Sequence, residues 1–84
     1  MSNADVFDKV VAIIKPFAKK TAAFDAPTND MKIIEDLGVN SARLVDIILE
    51  FEDAFGILID DQAVDKVRTL GDAVEMITGK LAAK

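Results

Sequence analysis

EDLGVNSARLVDIILEFEDAFGILI, residues 35–59, carries the pattern on which the fold turns. It predicts a helix from about Ser41 to Phe55, with Gly56 where a helix commonly ends on a left-handed residue. Turning this segment at about 100° per residue from Ser41 gathers Ile47, Phe51, Leu44, Phe55 and Ile48 into one arc, about 240° to 340°. That arc is the predicted core face. Ala42, Val45 and Leu49 fall at about 40° to 100°, interleaved with Glu52, Asp53 and Asp46. The helix therefore has a second, narrower apolar strip edged by carboxylates. Such a strip is either scattered surface hydrophobicity, which is ordinary, or a docking surface on which apolar contact supplies affinity and charge supplies orientation. Periodicity alone leaves both open.

Working outward, Val6, Val10, Ile13, Ile14 and Phe17 keep the helical period across residues 4–20, with Ser2, Asn3 and Asp5 as candidate caps. Pro16 lacks an N–H and clashes with the preceding turn, so this helix is expected to kink or stop near Lys15. Residues 21–36 contain Pro27, Asn29 and Asp30, all turn formers. Phe24, Met31, Ile33, Ile34 and Leu37 are expected to pack this long connection into an ordered loop. Downstream, Ile57, Leu58 and Ile59 look strand-like, and residues 60–66 suggest a short helix or turn. A last helix is expected from about Leu70 to Ala82, burying Ala73, Val74, Met76, Ile77 and Leu81. Thr69 and Asp72 have the spacing of a capping box, with Asp in place of Glu or Gln. There is no repeat and no low-complexity segment. The expectation is one domain over residues 1–84, an all-α four-helix bundle of three longer helices and one short helix with a long first loop.

Composition narrows the function. The chain has no Cys and no His, which removes the thiol nucleophile, the imidazole base and the commonest thiolate and imidazole metal ligands. An enzyme is not expected, nor a metal site. The net charge of −5 argues against nucleic acid, whose phosphates need a basic face. The charge is unevenly spread. From Glu35 to Asp65 nine acids face Arg43 alone, a balance of −8, while the other six acids and nine bases give +3. Such a stretch is either a solvated acidic face or a docking surface that steers basic partners through its field. Asp5 and Asp8 interrupt any N-terminal signal pattern, and no apolar run nears the roughly 20 residues that span a bilayer. A cytoplasmic protein without membrane insertion is expected.

Ser41 stands where the central helix begins. Taken alone it is an ordinary N-cap, a role Asn40 fills equally well. A hydroxyl there also tolerates a modification that adds negative charge, because a phosphate ester would face unsatisfied N–H groups and the positive end of the helix dipole.

The same stretch resembles the acyl carrier protein family. Asp36-Leu37-Gly38 matches the acidic-Leu-Gly signature, and Ser41 falls at that family's modified serine. Asp46, Glu52, Asp53 and Phe55 match the helix that follows, Ile57 and Ile59 the apolar segment after it. Asp60, Asp61 and Asp65 fall in an acidic third helix, and Thr69, Ala73 and Ile77 fit the last one. The resemblance implies that a phosphopantetheinyl transferase attaches phosphopantetheine to Ser41. The sulfur of the thioester then belongs to the cofactor, so a chain without Cys can still carry acyl groups. It implies a carrier, a monomer, that presents acyl intermediates to enzymes of fatty-acid, lipid or polyketide-type biosynthesis. Those acyl-loading and acyl-transfer enzymes would dock with basic patches against Asp36, Val45, Asp46, Leu49, Glu52, Asp53 and Asp61. Leu44, Ile48, Phe51, Ile59, Val67 and Ile77 are the candidates for sheltering the acyl chain, each of them equally readable as ordinary core.

Two positions depart from the family pattern. Asn40 replaces the Asp that helps bind the metal ion during arm transfer, and an amide is a weaker, neutral ligand for a hard cation. Ala42 replaces a Leu, losing an apolar contact of about 2 kcal/mol if fully desolvated in a partner. Arg43 is also unusual beside so acidic a helix. Together these suggest a specialised carrier with its own partners. The alternative is an unmodified acidic interaction module using the same fold. A calcium-binding reading of Asp60, Asp61 and Asp65 lacks the alternating ligands, central Gly and terminal Glu of a calcium loop.

Overall fold

The computed structural model describes residues 2–83. Helix α1 runs Asn3–Ile14, α2 Leu44–Phe55, α3 Asp61–Asp65 and α4 Leu70–Ala82. Helix α1 packs most extensively on α4 and also contacts α2, which itself reaches α4. Residues 2–83 contain no β-strand, only an isolated antiparallel bridge between Lys32 and Thr69.

Helices α1, α3 and α4 each begin where a side chain satisfies a free N–H. Ser2 caps α1, its hydroxyl accepting from the Asp5 amide at 3.2 Å. Pro16 then ends α1. The helix stops at Ile14, Lys15–Phe17 tighten into a 3-10 turn, and Ala18 leaves in an extended conformation. Asp60 caps α3 through the Ala63 amide at 2.8 Å. At α4 both arms of the capping box form. Thr69 Oγ1 accepts from the Asp72 amide at 3.1 Å, and Asp72 Oδ2 accepts from the Thr69 amide at 3.1 Å. The shorter Asp thus closes the box that Glu or Gln usually closes.

The long connection is ordered, as its apolar content predicts. Its 29–33 segment is laced to the start of α4 by three backbone bonds: Gly71 N–H to Asn29 O, Leu70 N–H to Met31 O, and Ile33 N–H to Arg68 O, at 2.9 to 3.0 Å. Residues 32–37 form a turn in which Asp36 Oδ2 accepts from the Lys32 amide at 2.8 Å. The turn puts Ile33 and Leu37, four residues apart, into the core. Ile34 is the correction: expected to pack, it lies on the outer side of that turn and is 44% exposed.

The core joins Val6, Val10 and Ile14 of α1 to Ile47, Ile48, Phe51 and Phe55 of α2 and Leu70, Ala73, Val74 and Ile77 of α4. Ile33, Leu37, Val39, Ile57 and Val67 close it from the connections. All of the predicted α2 core face is therefore inside except Leu44, which packs against the edge. Met76 and Leu81 of the predicted α4 stripe are likewise only partly buried. The strand-like 57–59 segment forms no strand and pairs with no other segment among the described residues. Its side chains alternate, with Ile57 buried, Leu58 85% exposed and Ile59 partly buried.

Candidate functional site

Three segments converge before α2. The turn at 32–37 ends in Gly38, whose φ of 72° puts the backbone in the left-handed region. The chain then runs through buried Val39 to Asn40. Against this lies the segment after α1, held by Lys20 N–H to Leu37 O at 3.0 Å and Lys19 N–H to Gly38 O at 3.3 Å.

Ser41 opens a 3-10 turn, Ser41–Arg43, and α-helical geometry starts only at Leu44, three residues later than periodicity suggests. Asn40 provides the cap. Its Oδ1 accepts from the Ala42 amide at 2.9 Å, and its carbonyl accepts from the Arg43 amide at 2.8 Å. The Ser41 side chain is exposed and is not used in capping. A hydroxyl that is accessible and structurally idle suits a serine that must be approached by an enzyme and esterified. The residues present therefore fit a covalently attached phosphate ester.

The expected docking residues divide into two groups. Val45 and Leu49 stand out from α2, 62% and 53% exposed, with exposed Asp53 on the same helix. Those three form a free strip. The other acids are partly engaged. Asp46 Oδ2 pairs with Arg43 Nη1 at 3.1 Å, an exposed contact worth at most about 1 kcal/mol. Asp36 holds the Lys32 amide. Glu52 Oε2 accepts from the Ile59 amide at 2.8 Å and so fixes the segment that follows α2. Asp61 is exposed at the first position of α3.

Of the expected acyl-chain shelter, Phe51 and Ile77 are fully buried and Ile48 and Val67 nearly so. Leu44 and Ile59 are partly buried at the edge. None of the six lines the surface clefts of about 700, 590 and 380 Å³, which are bounded by other residues. The third, bounded by Pro16, Phe17, Lys19, Asn40 and Arg43, lies beside Ser41. No group of three or more Asp or Glu among the described residues is arranged to hold a metal ion.

Two features escape the sequence reading. Leu58 is the most exposed large apolar side chain, a position its neighbours' alternation could have signalled. Lys19 reaches the Ser41 region only through pairing of two distant segments, which no local pattern signals.

Comparison with known proteins agrees with this geometry. Residues 8–77 match the family model described as a phosphopantetheine attachment site. The acyl carrier protein of Thermotoga maritima is 38% identical over 81 residues, 95% of this chain and 96% of that one. That of Petrotoga mobilis is 33% identical over 81 residues, 96% and 93% of the two chains. Among solved structures, the acyl carrier protein from Enterococcus faecalis is similar with a TM-score of 0.77 at 34% identity, covering 95% of this chain and 99% of that one. An unmodified interaction module is accordingly the less favoured reading. The chain belongs to the acyl carrier protein family, and its cofactor is covalently attached phosphopantetheine.

Proposed function

We propose that Ser41 carries the phosphopantetheine arm, and that the chain presents acyl intermediates to enzymes of fatty-acid, lipid or polyketide-type biosynthesis. The arm's thiol supplies the thioester chemistry. The observation that carries this reading is the exposed Ser41 hydroxyl, left idle by the Asn40 cap at the head of α2. The protein's own part is positional. The hydrogen-bonded 32–40 connection sets where the arm starts, and α2 gives each partner the same surface beside it. Leu44 and Ile59, partly buried, form the mouth of the acyl-chain shelter, with Ile48, Phe51, Val67 and Ile77 behind them. The acyl chain enters by parting these side chains.

Intact mass after co-expression with a broad-specificity phosphopantetheinyl transferase tests the attachment point. The chain is expected to gain one phosphopantetheine and Ser41→Ala none. No gain, or a gain that survives Ser41→Ala, overturns it.

Partners dock on Val45 and Leu49, oriented by Asp53, Asp46, Glu52, Asp36 and Asp61. Their charges are exposed or half-exposed, so the effect is on encounter rate and is screened by salt. Asp53→Lys is expected to slow association with the transferase, most at low ionic strength, while leaving the melting temperature unchanged. Glu52→Lys is expected to slow association and also to cost about 1–3 kcal/mol of stability, because the Ile59 amide loses its acceptor. Association rates indifferent to both reversals and to salt would remove the docking role. An unaltered melt for Glu52→Lys would remove the structural one.

A further inference from the structure

The surroundings of Ser41 are cationic, within a stretch that is otherwise strongly acidic. Arg43 is the only base between Glu35 and Asp65, and it stands two residues after the serine. Lys19 joins it from the other side of the chain. The Lys19 and Lys20 amides are tied to Gly38 O and Leu37 O, which holds this segment against residues 37–38. Lys20 is spent elsewhere, its Nζ donating to Glu35 O at 2.9 Å. Among the described residues Lys19 makes no ion pair, and it borders the 380 Å³ cleft with Arg43, Asn40, Pro16 and Phe17. Among the described residues Arg43 pairs with Asp46 alone, an exposed contact that a stronger or closer anion can displace. At position 40 an amide replaces a carboxylate, so no negative charge stands next to the serine.

We propose that Arg43 and Lys19 bind the phosphodiester of the arm, with the first part of the arm lying in the cleft over Pro16 and Phe17. This rests on Ser41 as the attachment point. Esterification places one further negative charge at the head of an already acidic helix. Two cations bordering the cleft next to the serine offset it, and guanidinium in particular suits phosphate oxygens. The arm therefore leaves the protein in a preferred direction, along the groove between the end of α1 and the start of α2.

Phosphorus NMR of the modified full-length chain tests this. Spectra of the wild type, Arg43→Gln and Lys19→Gln are compared at low salt and in about 1 M NaCl, where the screening length falls to about 3 Å. Arg43 and Lys19 are both exposed, so the two variants should fold. The wild-type phosphodiester resonance is expected to move on each substitution and, in the same direction, on adding salt. The Arg43 Nε–H resonance is expected to move between the unmodified and modified chain. One resonance position shared by all three proteins in both salts overturns the contact. Intact mass of the same samples separates the two failures. A chain that gains no mass on Ser41 overturns the attachment point and this contact together. A chain that gains the mass but shows an unmoved resonance overturns the contact alone.

Discussion

Phe51→Ala is expected to lose about 3–5 kcal/mol in a denaturant melt, the usual range for emptying a buried aromatic site. Phe51 is fully buried on the inner side of α2. Its ring meets that of Phe55 edge-on, with centroids 6.4 Å apart and planes at 63°, a contact that adds about 0.5–1.5 kcal/mol beyond the buried area. Net stability for a chain of this length is about 4–13 kcal/mol. One substitution therefore removes much of it, and at the low end unfolds the domain. The result also bears on the acyl-chain shelter. If Phe51 were the lining of loosely packed space, the loss would fall to about 2 kcal/mol, the transfer of the ring alone, since the surroundings would already lack contacts to lose. A loss that small would show the interior to be open rather than packed, and the view that the chain enters by parting side chains would fail.

The sequence announces a feature of this fold wherever its cause is local. Helix α4 has the bounds that periodicity predicts, Leu70 to Ala82, because its start is written in Thr69 and Asp72 and its buried stripe repeats along one face. The end of α1 is equally legible, since Pro16 forbids its continuation whatever surrounds it. Ile34 shows the limit. Within a hydrophobic run, the geometry of the turn decides which residues face inward, and that turn is built by the Asp36 carboxylate on the Lys32 amide. The start of α2 shows a second limit. Asn40 and Ser41 are interchangeable caps by residue type, and only the Asn40 bond to Ala42 reveals that the serine is free. Glu52 shows a third. On the helical wheel it edges the docking strip, yet its carboxylate reaches beyond the helix to Ile59, a contact that depends on how the chain leaves Gly56. The family signature is carried by the residues around Ser41, whose chemistry is legible from residue type and spacing. The two cations beside the serine come from segments far apart in the chain, so only the folded structure joins them.

Gly38→Val is expected to cost roughly 3 kcal/mol, and the reason ties the Leu-Gly pair to the site. At φ 72° a side chain is disfavoured by about 1–2 kcal/mol before any neighbour is considered. The neighbours add to it. A Cβ here would meet Lys20 Cγ at 3.1 Å, the Lys20 amide nitrogen at 3.2 Å and Lys19 Cβ at 3.3 Å. Lys20 Cγ belongs to a flexible side chain and can move, but the amide nitrogen is backbone. Relief requires the 18–20 segment to withdraw from 37–38, which breaks the bonds from Lys20 N–H to Leu37 O and from Lys19 N–H to Gly38 O. Overpacking of this kind typically costs a further 1–3 kcal/mol. Glycine at this position thus allows two segments to touch, and their contact places Lys19 at the cleft it shares with Asn40 and Arg43. Hydrogen exchange is the direct readout. In the variant the Lys19 and Lys20 amides should lose protection far more than the Ile33 and Leu70 amides, which are held by the start of α4 and the 29–33 segment. Equal protection in both proteins, or a loss below about 1 kcal/mol, would mean that the segment finds another way to sit, and that Gly38 does not organise the serine's surroundings.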